Sequence, residues 1–273
     1  MKREKRFPKA AFTALIIIIL ASTFAGLIAP YSPDLMDSSA VNLPPGGGHL
    51  LGTDSMGRDL LTMLLYGGRY SIAIGFISAL ISTAIAVIYG VVSGIAPRVV
   101  DDLLMRFSEL LLSIPSILLI IFLQALWGNP SWLSLSVIIG ITGWPNISKI
   151  VRSEVRQIGE SDYILAARTM EGGFWYVLRR HLLPNFISSI MFMVVTNIGQ
   201  AMITESTLSF LGLGLPLTTV SWGSLLSMSQ EVLLTGCWWL ILIPGVVLIV
   251  TLVCVTELGE YVRKKNNRMH SNL

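Results

Sequence analysis

Leu240-Ile241-Leu242-Ile243-Pro244-Gly245-Val246-Val247-Leu248-Ile249-Val250-Thr251-Leu252-Val253-Cys254-Val255 carries no charged side chain and a single hydroxyl. With Cys237-Trp238-Trp239 ahead of it, the run reaches the roughly 20 residues that a helix needs to cross hydrocarbon. Near the other end, Leu15 to Leu20 is an unbroken aliphatic run. Four further stretches qualify between these two, so spans are expected at about 10–29, 71–93, 107–127, 132–150, 186–213 and 237–257. Composition agrees. Of 273 residues 53% are hydrophobic and 13% charged, with a mean hydropathy of +0.72. A soluble domain carries about 25% charged residues. A lone soluble domain, collagen and disorder are excluded, and the expected fold is an all-α integral membrane protein of six transmembrane helices.

Two of the spans have special features. Gly143-Trp144-Pro145 interrupts the fourth, where Pro145, lacking a backbone donor, is expected to kink or shorten the helix. The fifth is longer than a bilayer requires, so its ends extend into water or the helix tilts. The first span follows Lys2, Arg3, Lys5, Arg6 and Lys9, as a signal peptide would. Its apolar run is longer than the 7–15 residues of a signal sequence, and Leu27-Ile28-Ala29 offers no small-x-small site. It reads as a retained anchor.

Basic residues set the orientation. Five precede the first span, two lie between the second and third, six (Lys149, Arg152, Arg156, Arg168, Arg179 and Arg180) between the fourth and fifth, and four after the sixth. The opposite faces hold only Arg58 and Arg69. The ratio of 17 to 2 places both termini and the segment 150–185 in the cytoplasm. The two cysteines, Cys237 and Cys254, have neither zinc-ligand spacing nor histidine neighbours. The net charge of +3 reflects topology rather than nucleic-acid binding.

Three stretches are more than apolar filler. Between Pro30 and Tyr70, Gly52-Thr53-Asp54 and Gly57-Arg58-Asp59 permit tight turns, and Asp54 or Asp59 can cap a following helix. Residues 60–66 then read as a short amphipathic helix at the interface. The segment is either a structural collar with a charge-paired turn or a contact for a partner or substrate. On the cytoplasmic side, Ser161 or Asp162 starts a helix through Met170, Gly172-Gly173 breaks it, Phe174 to His181 forms a second, and Pro184 opens the fifth span. This two-helix segment is a solvated basic loop or a docking surface centred on the small side chains of Ala166 and Ala167. At the outer end of the fifth span, Leu208-Ser209-Phe210-Leu211-Gly212-Leu213-Gly214-Leu215-Pro216 precedes Ser221-Trp222-Gly223. Nearby Glu205 is an acid within an apolar span and must face the bundle interior or a water-filled cavity. A hydrogen bond to a neighbouring helix and contact with substrate both fit. Glu109, near the inner end of the third span, belongs to the interface.

No G-x-x-x-x-G-K-[ST], H-E-x-x-H or G-x-S-x-G occurs, and no histidine lies in a span. A nucleotide-binding loop, a zincin site and a nucleophile elbow are absent, so a membrane-embedded enzyme is disfavoured.

Residues 165–184 resemble the signature loop of permease subunits of ATP-binding-cassette importers, E-A-A-x3-G-x9-I-x-L-P. Leu165-Ala166-Ala167 fills the first triplet, His181 the isoleucine place and Leu183-Pro184 the end. Ala166-Ala167-Arg168 followed by Arg180-His181-Leu182-Leu183-Pro184-Asn185 is similar to the dipeptide, oligopeptide and nickel group. Gly52-Thr53-Asp54 with Gly57-Arg58-Asp59, Leu208 to Gly214 with Trp222-Gly223, and Pro244-Gly245 follow the same pattern. The resemblance covers about residues 50–260 and points to the second (C-type) permease. Two features depart from it. Glu171 stands at the glycine place, with Gly172 and Gly173 one residue later, and the chain ends through Glu257-Leu258-Gly259-Glu260 rather than Asn-Leu-Gly-Asp.

The resemblance implies a type I importer permease fold with a cytoplasmic coupling helix between spans 4 and 5. It divides the chain into an N-terminal anchor and external segment (1–70), a permease domain (71–260, with the coupling loop at 160–185) and a basic tail (261–273). Asp162, Ala166, Ala167, Arg168, Glu171, Gly172, Arg180, His181 and Pro184 would form the ATPase-coupling loop. Glu205 and Ser209 are candidates for the translocation path. This chain would be a non-catalytic subunit that binds no cofactor or metal, with ATP and Mg held by partners. Those partners are a second related permease, two cytoplasmic ATPase subunits and an extracytoplasmic binding protein, around a multi-pass chain in the plasma (inner) membrane of a prokaryote. Peptides or a nickel-type chelate would be the substrate. An ATP-independent carrier or channel using Glu205 as its coupling acid is the alternative, but such a carrier has no need of the two-helix cytoplasmic surface.

Overall fold

The computed structural model describes residues 7–159, 183–216, 218–232 and 236–270, and among them every regular element is helical apart from one isolated bridge between Thr53 and Asp59. In chain order these are α1 (Lys9–Thr23), α2 (Ala25–Ile28), α3 (Leu60–Ile95), α4 (Arg98–Ser113), α5 (Ser116–Trp127), α6 (Trp132–Gly159), α7 (Leu183–Phe210), α8 (Trp222–Met228) and α9 (Trp239–His270). An irregular collar, with a 3-10 turn at Ser38–Ala40, joins α2 to α3.

Small residues explain why α3 is central. Gly68, Ser71, Gly75, Ser78, Ser82, Ala86, Gly90 and Ser93 recur every three or four positions and are all buried. Such a face lets neighbouring backbones come close, which is how helices gain contact where lipid competes for every apolar surface. A Cβ on Gly90 would stand 2.7 Å from the Ser148 carbonyl oxygen, so α6 rests directly on the α3 backbone. Higher up, Gly75 receives Met202 of α7 and Gly68 faces Ser22 of α1 and Trp222 of α8. Ser78 donates to the Ser136 carbonyl at 2.9 Å. Two apolar clusters fill the gaps. Ile74, Ile120, Leu135, Ile138 and Leu208 join α3, α5, α6 and α7, while Ala86, Trp144, Ile147, Val151 and Met193 join α3, α6 and α7. Outward, Ile17, Leu27, Ile88, Leu126 and Ile249 are exposed. A polar-tolerant interior under an apolar exterior suits acyl chains rather than water.

The helices differ from the expected spans in four places. The short interfacial helix expected at 60–66 is the start of the 36-residue α3, whose first turn Asp59 caps by accepting the Thr62 N–H at 2.8 Å. At about 54 Å, α3 far exceeds the hydrocarbon thickness. The stretch expected as span 3 is broken at Ile114-Pro115, and α4 meets α5 at 87°. Pro115 has no N–H to continue the ladder, and it drives Ile114 to extended angles (φ −90°, ψ 128°). Pro145 does not shorten α6, which continues to Gly159. Buried Trp144, Ile147 and Val151 hold the helix through the missing bond. The helix of the first span is interrupted at Phe24, between α1 and α2. By length and apolarity α3 and α9 each suffice to cross a membrane, and α4 with α5 only when taken together.

Candidate functional site

Glycines shape the collar. Gly52 and Gly57 adopt φ of +84° and +74°, with Gly52 against Leu43 and Trp239 and Gly57 against Asp37. Their left-handed backbone turns the chain back so that Asp54 accepts the backbone N–H groups of Met56 and Arg58 at 2.8 and 2.9 Å. The Arg58 guanidinium closes on the same carboxylate at 2.7 Å. His49 lies 3.0 Å from Asp59, and the Trp239 indole donates to the Thr53 carbonyl at 3.1 Å. The collar is therefore a charge-paired turn pinned to the start of α9.

Beneath it, Glu205 is fully buried in α7. Four hydroxyls donate to its carboxylate: Ser221 at 2.6 Å, Ser209 at 2.9 Å, Ser206 at 3.3 Å and Ser71 at 3.4 Å. Two of them relay the start of α8. Ser71 accepts the Trp222 N–H at 3.1 Å, and Ser221 accepts the Ser224 N–H at 3.1 Å while its own N–H is returned to the Ser224 hydroxyl at 2.8 Å. The Trp222 indole adds a bond to the Leu64 carbonyl at 3.0 Å. One carboxylate thus ties α3, α7 and α8 together through donors that are each satisfied in turn.

Ser209 has a second neighbour. It lines a cavity of about 480 Å³ whose walls are α5 (Ile121, Gln124), the Gly212–Pro216 loop and α8 (Ser224, Ser227). Gln124 Nε2 donates to the Gly214 carbonyl at 2.7 Å, fastening the loop to α5, while Gln124 Oε1 is buried without a partner. Glu205 stands one layer behind this wall and touches it through Ser209. The volume lies in the range of small-molecule pockets.

Residues 86–268 match the family described as binding-protein-dependent transport system inner membrane component. The chain belongs to this family. Residues 3–45 of the permease also match the N-terminal transmembrane domain of oligopeptide transport permease C. Across 95% of its length the permease is 34% identical to the dipeptide transport system permease protein DppC of Bacillus subtilis (strain 168), covering 81% of that protein. It is 31% identical to the oligopeptide transport system permease protein OppC of the same organism, over 94% of this chain and 82% of the relative. A chain of the MetNI methionine ABC transporter, solved in inward-facing conformations, superposes with a TM-score of 0.64 at 17% identity, over 75% of this permease and 96% of that chain. The fold is that of a type I importer permease. The permease is a transmembrane subunit that works with a second permease, ATPase subunits and a binding protein, and the ATP-independent carrier reading is not favoured.

The structure brings Glu205 and Ser209 together at 2.9 Å. Asp162, Ala166, Ala167, Arg168, Glu171, Gly172, Arg180 and His181 lie outside the described residues. Pro184 is the second residue of α7, near the first helical position that suits it. Sequence reasoning missed Ser71 and Gln124. Neither sits in a motif, and each joins the site only because α3 and α5 fold against residues 134 and 90 positions away. Ser221 was legible as part of Ser221-Trp222-Gly223, although its bond to Glu205 was not.

Proposed function

We propose that the chain is one of two permease subunits of an ATP-driven peptide importer in the plasma membrane of a prokaryote, with both termini in the cytoplasm. The observation that carries this reading is the 34% identity to the dipeptide permease across 95% of the chain. ATP and Mg are held by the ATPase subunits, and this non-catalytic chain contributes movement. Asp162 to His181 forms the contact with one ATPase, with Ala166 and Ala167 seated in a groove that admits only small side chains. Closure of the ATPases on ATP pushes α6 and α7, which flank this segment, and switches the pore between inward-facing and outward-facing states. On the external side the Ser209 cavity lies along the path, and Glu205 sets its wall through Ser209 and Ser221. The cavity wall is mostly apolar, with Ile121, Leu213, Leu215, Val220 and Met228. Set into it are an amide and hydroxyls (Gln124, Ser209, Ser224) that suit the donors and acceptors of a peptide main chain beside apolar side chains.

Uptake in proteoliposomes that hold both permeases, the ATPases and the binding protein tests the reading. Labelled di- and oligopeptides should accumulate with ATP. Accumulation of a nickel chelate but of no peptide would reject peptide as the substrate.

A further inference from the structure

α4 turns its apolar side away from the rest of the chain. Val99, Leu103, Phe107 and Leu110 share one helical face and are exposed. With five charged residues in sixteen, this helix is the polar half of the bent α4–α5 pair. Polar contacts hold it in place. On its inner face Asp101 is buried and accepts bonds from Ser93 at the end of α3 and from Arg152 and Arg156 of α6. Arg152 reaches both carboxylate oxygens, Nε to Oδ1 and Nη2 to Oδ2. Farther along, Lys149 meets Glu109 at 3.3 Å, and the Tyr89 hydroxyl donates to the Leu104 carbonyl at 2.7 Å. The Arg152 hydrogen bonds hold the Asp101 carboxyl at about 2, so the cluster remains ionised at physiological pH.

Position gives this cluster a meaning. Arg156 lies three residues before the end of α6 at Gly159, next to the segment assigned above to the ATPase. On the other side, α4 turns through the 87° elbow at Pro115 into α5, whose Ile121 and Gln124 line the cavity. We propose that Asp101, Arg152 and Arg156 form the joint that carries movement from the ATPase-coupling segment through α6 to α4, and so to the cavity wall. The inference rests on the coupling role of residues 162–181. Apolar contact is non-directional and lets helices slide, whereas a forked arginine–carboxylate pair fixes both distance and orientation. α4 and the end of α6 then move as one body. Asp101 and its partners are positioning residues that act on the path through α5.

The test uses the complete reconstituted importer with spin labels at Val99 and Ser153, both exposed. In the otherwise native protein the distance between them should be the same with and without ATP. In Asp101→Asn it should change with ATP, and uptake per ATP hydrolysed should fall at least tenfold while the ATPase still co-purifies. Arg156→Gln keeps the Arg152 fork, so it should fold readily and show a smaller loss of uptake per ATP. An unchanged label distance together with unchanged uptake per ATP in Asp101→Asn overturns the proposal. If that variant yields no complex, native coupling in Arg156→Gln overturns it instead. Ala167→Trp, run alongside, separates the two readings. Loss of docking there with native coupling in Asp101→Asn rejects the joint alone, whereas native docking in Ala167→Trp rejects the coupling role and the joint with it.

Discussion

Ser221 donates its hydroxyl to Glu205 at 2.6 Å while accepting the Ser224 N–H, so the first turn of α8 is fastened to α7 through one oxygen atom. The relation reconciles an acid inside an apolar bundle with burial. Its cost is met by hydroxyl donors rather than by an arginine or lysine, since no ion pair to Glu205 occurs among the described residues. It also links the start of α8, and with it the cavity wall, to one carboxylate, alongside the Trp222 indole bond to the Leu64 carbonyl.

Glu205→Leu should therefore destabilise the permease more than Glu205→Gln does. Leucine leaves buried hydroxyls without an acceptor, at about 1–3 kcal/mol for each group that finds no new partner. Glutamine keeps one acceptor oxygen and the shape. Thermal unfolding of the purified complexes, followed by tryptophan fluorescence, should rank the native protein above Gln and Gln above Leu. Equal midpoints for the two variants would remove the carboxylate from the account of α8.

How much of this was legible in the sequence follows from the range of each interaction. The Gly52 and Gly57 turns and the inward-facing Glu205 follow from local composition, and the structure agrees with both. The apolar runs are helical, with bounds and breaks that differ from the expected spans. The break at Pro115 was also local, but the surrounding hydrophobicity of residues 107–127 masked it. The pairing of Asp101 with Arg152 spans 51 residues and left only a faint trace, two arginines one turn apart. Those arginines counted toward orientation, and a charge census cannot tell a solvated arginine from one that is paired.

Gly90 and Gly199 should respond in opposite directions to the same substitution. Alanine favours helix by about 1 kcal/mol over glycine. At Gly199 the new methyl would meet Val255 at 3.7 Å and Leu252 at 3.8 Å, ordinary contact, so Gly199→Ala should be neutral or stabilising. At Gly90 it would meet the Ser148 carbonyl at 2.7 Å, and backbone cannot step aside. Overpacking of this kind costs about 1–3 kcal/mol, so Gly90→Ala should lower the unfolding temperature and the yield. A melting curve for each variant decides the matter, and a stabilised Gly90→Ala would contradict the close approach of α6 to α3.

Orientation is open to a direct measurement. With 17 basic residues on one set of faces and 2 on the other, a cysteine at Ser39 should react with an impermeant maleimide in intact cells, and one at Ser271 only after lysis. Native Cys237 and Cys254 are both buried, which keeps the background low. Labelling of both sites from outside would overturn the assignment.

Docking of the ATPase gives the last prediction. Residues 162–181 lie outside the described part of the structure, and their sequence gives the size and charge of the contact. A helix seated in a groove at Ala166 and Ala167 tolerates little added volume, and Ala167→Trp adds a full indole. A misfit costing about 1–3 kcal/mol weakens association by roughly tenfold or more, at 1.4 kcal/mol per tenfold. Insertion depends on the apolar helices, so the variant should reach the membrane in normal amount. Glu171→Gly, which restores the residue usual at that place in the family, should leave folding and insertion intact and alter the choice among ATPase partners. Co-purification of the ATPase with each variant, together with ATP-dependent uptake in vesicles, reads both effects. Native co-purification and uptake with Ala167→Trp would reduce the segment to a solvated basic face and move the search for the ATPase contact to another part of the chain.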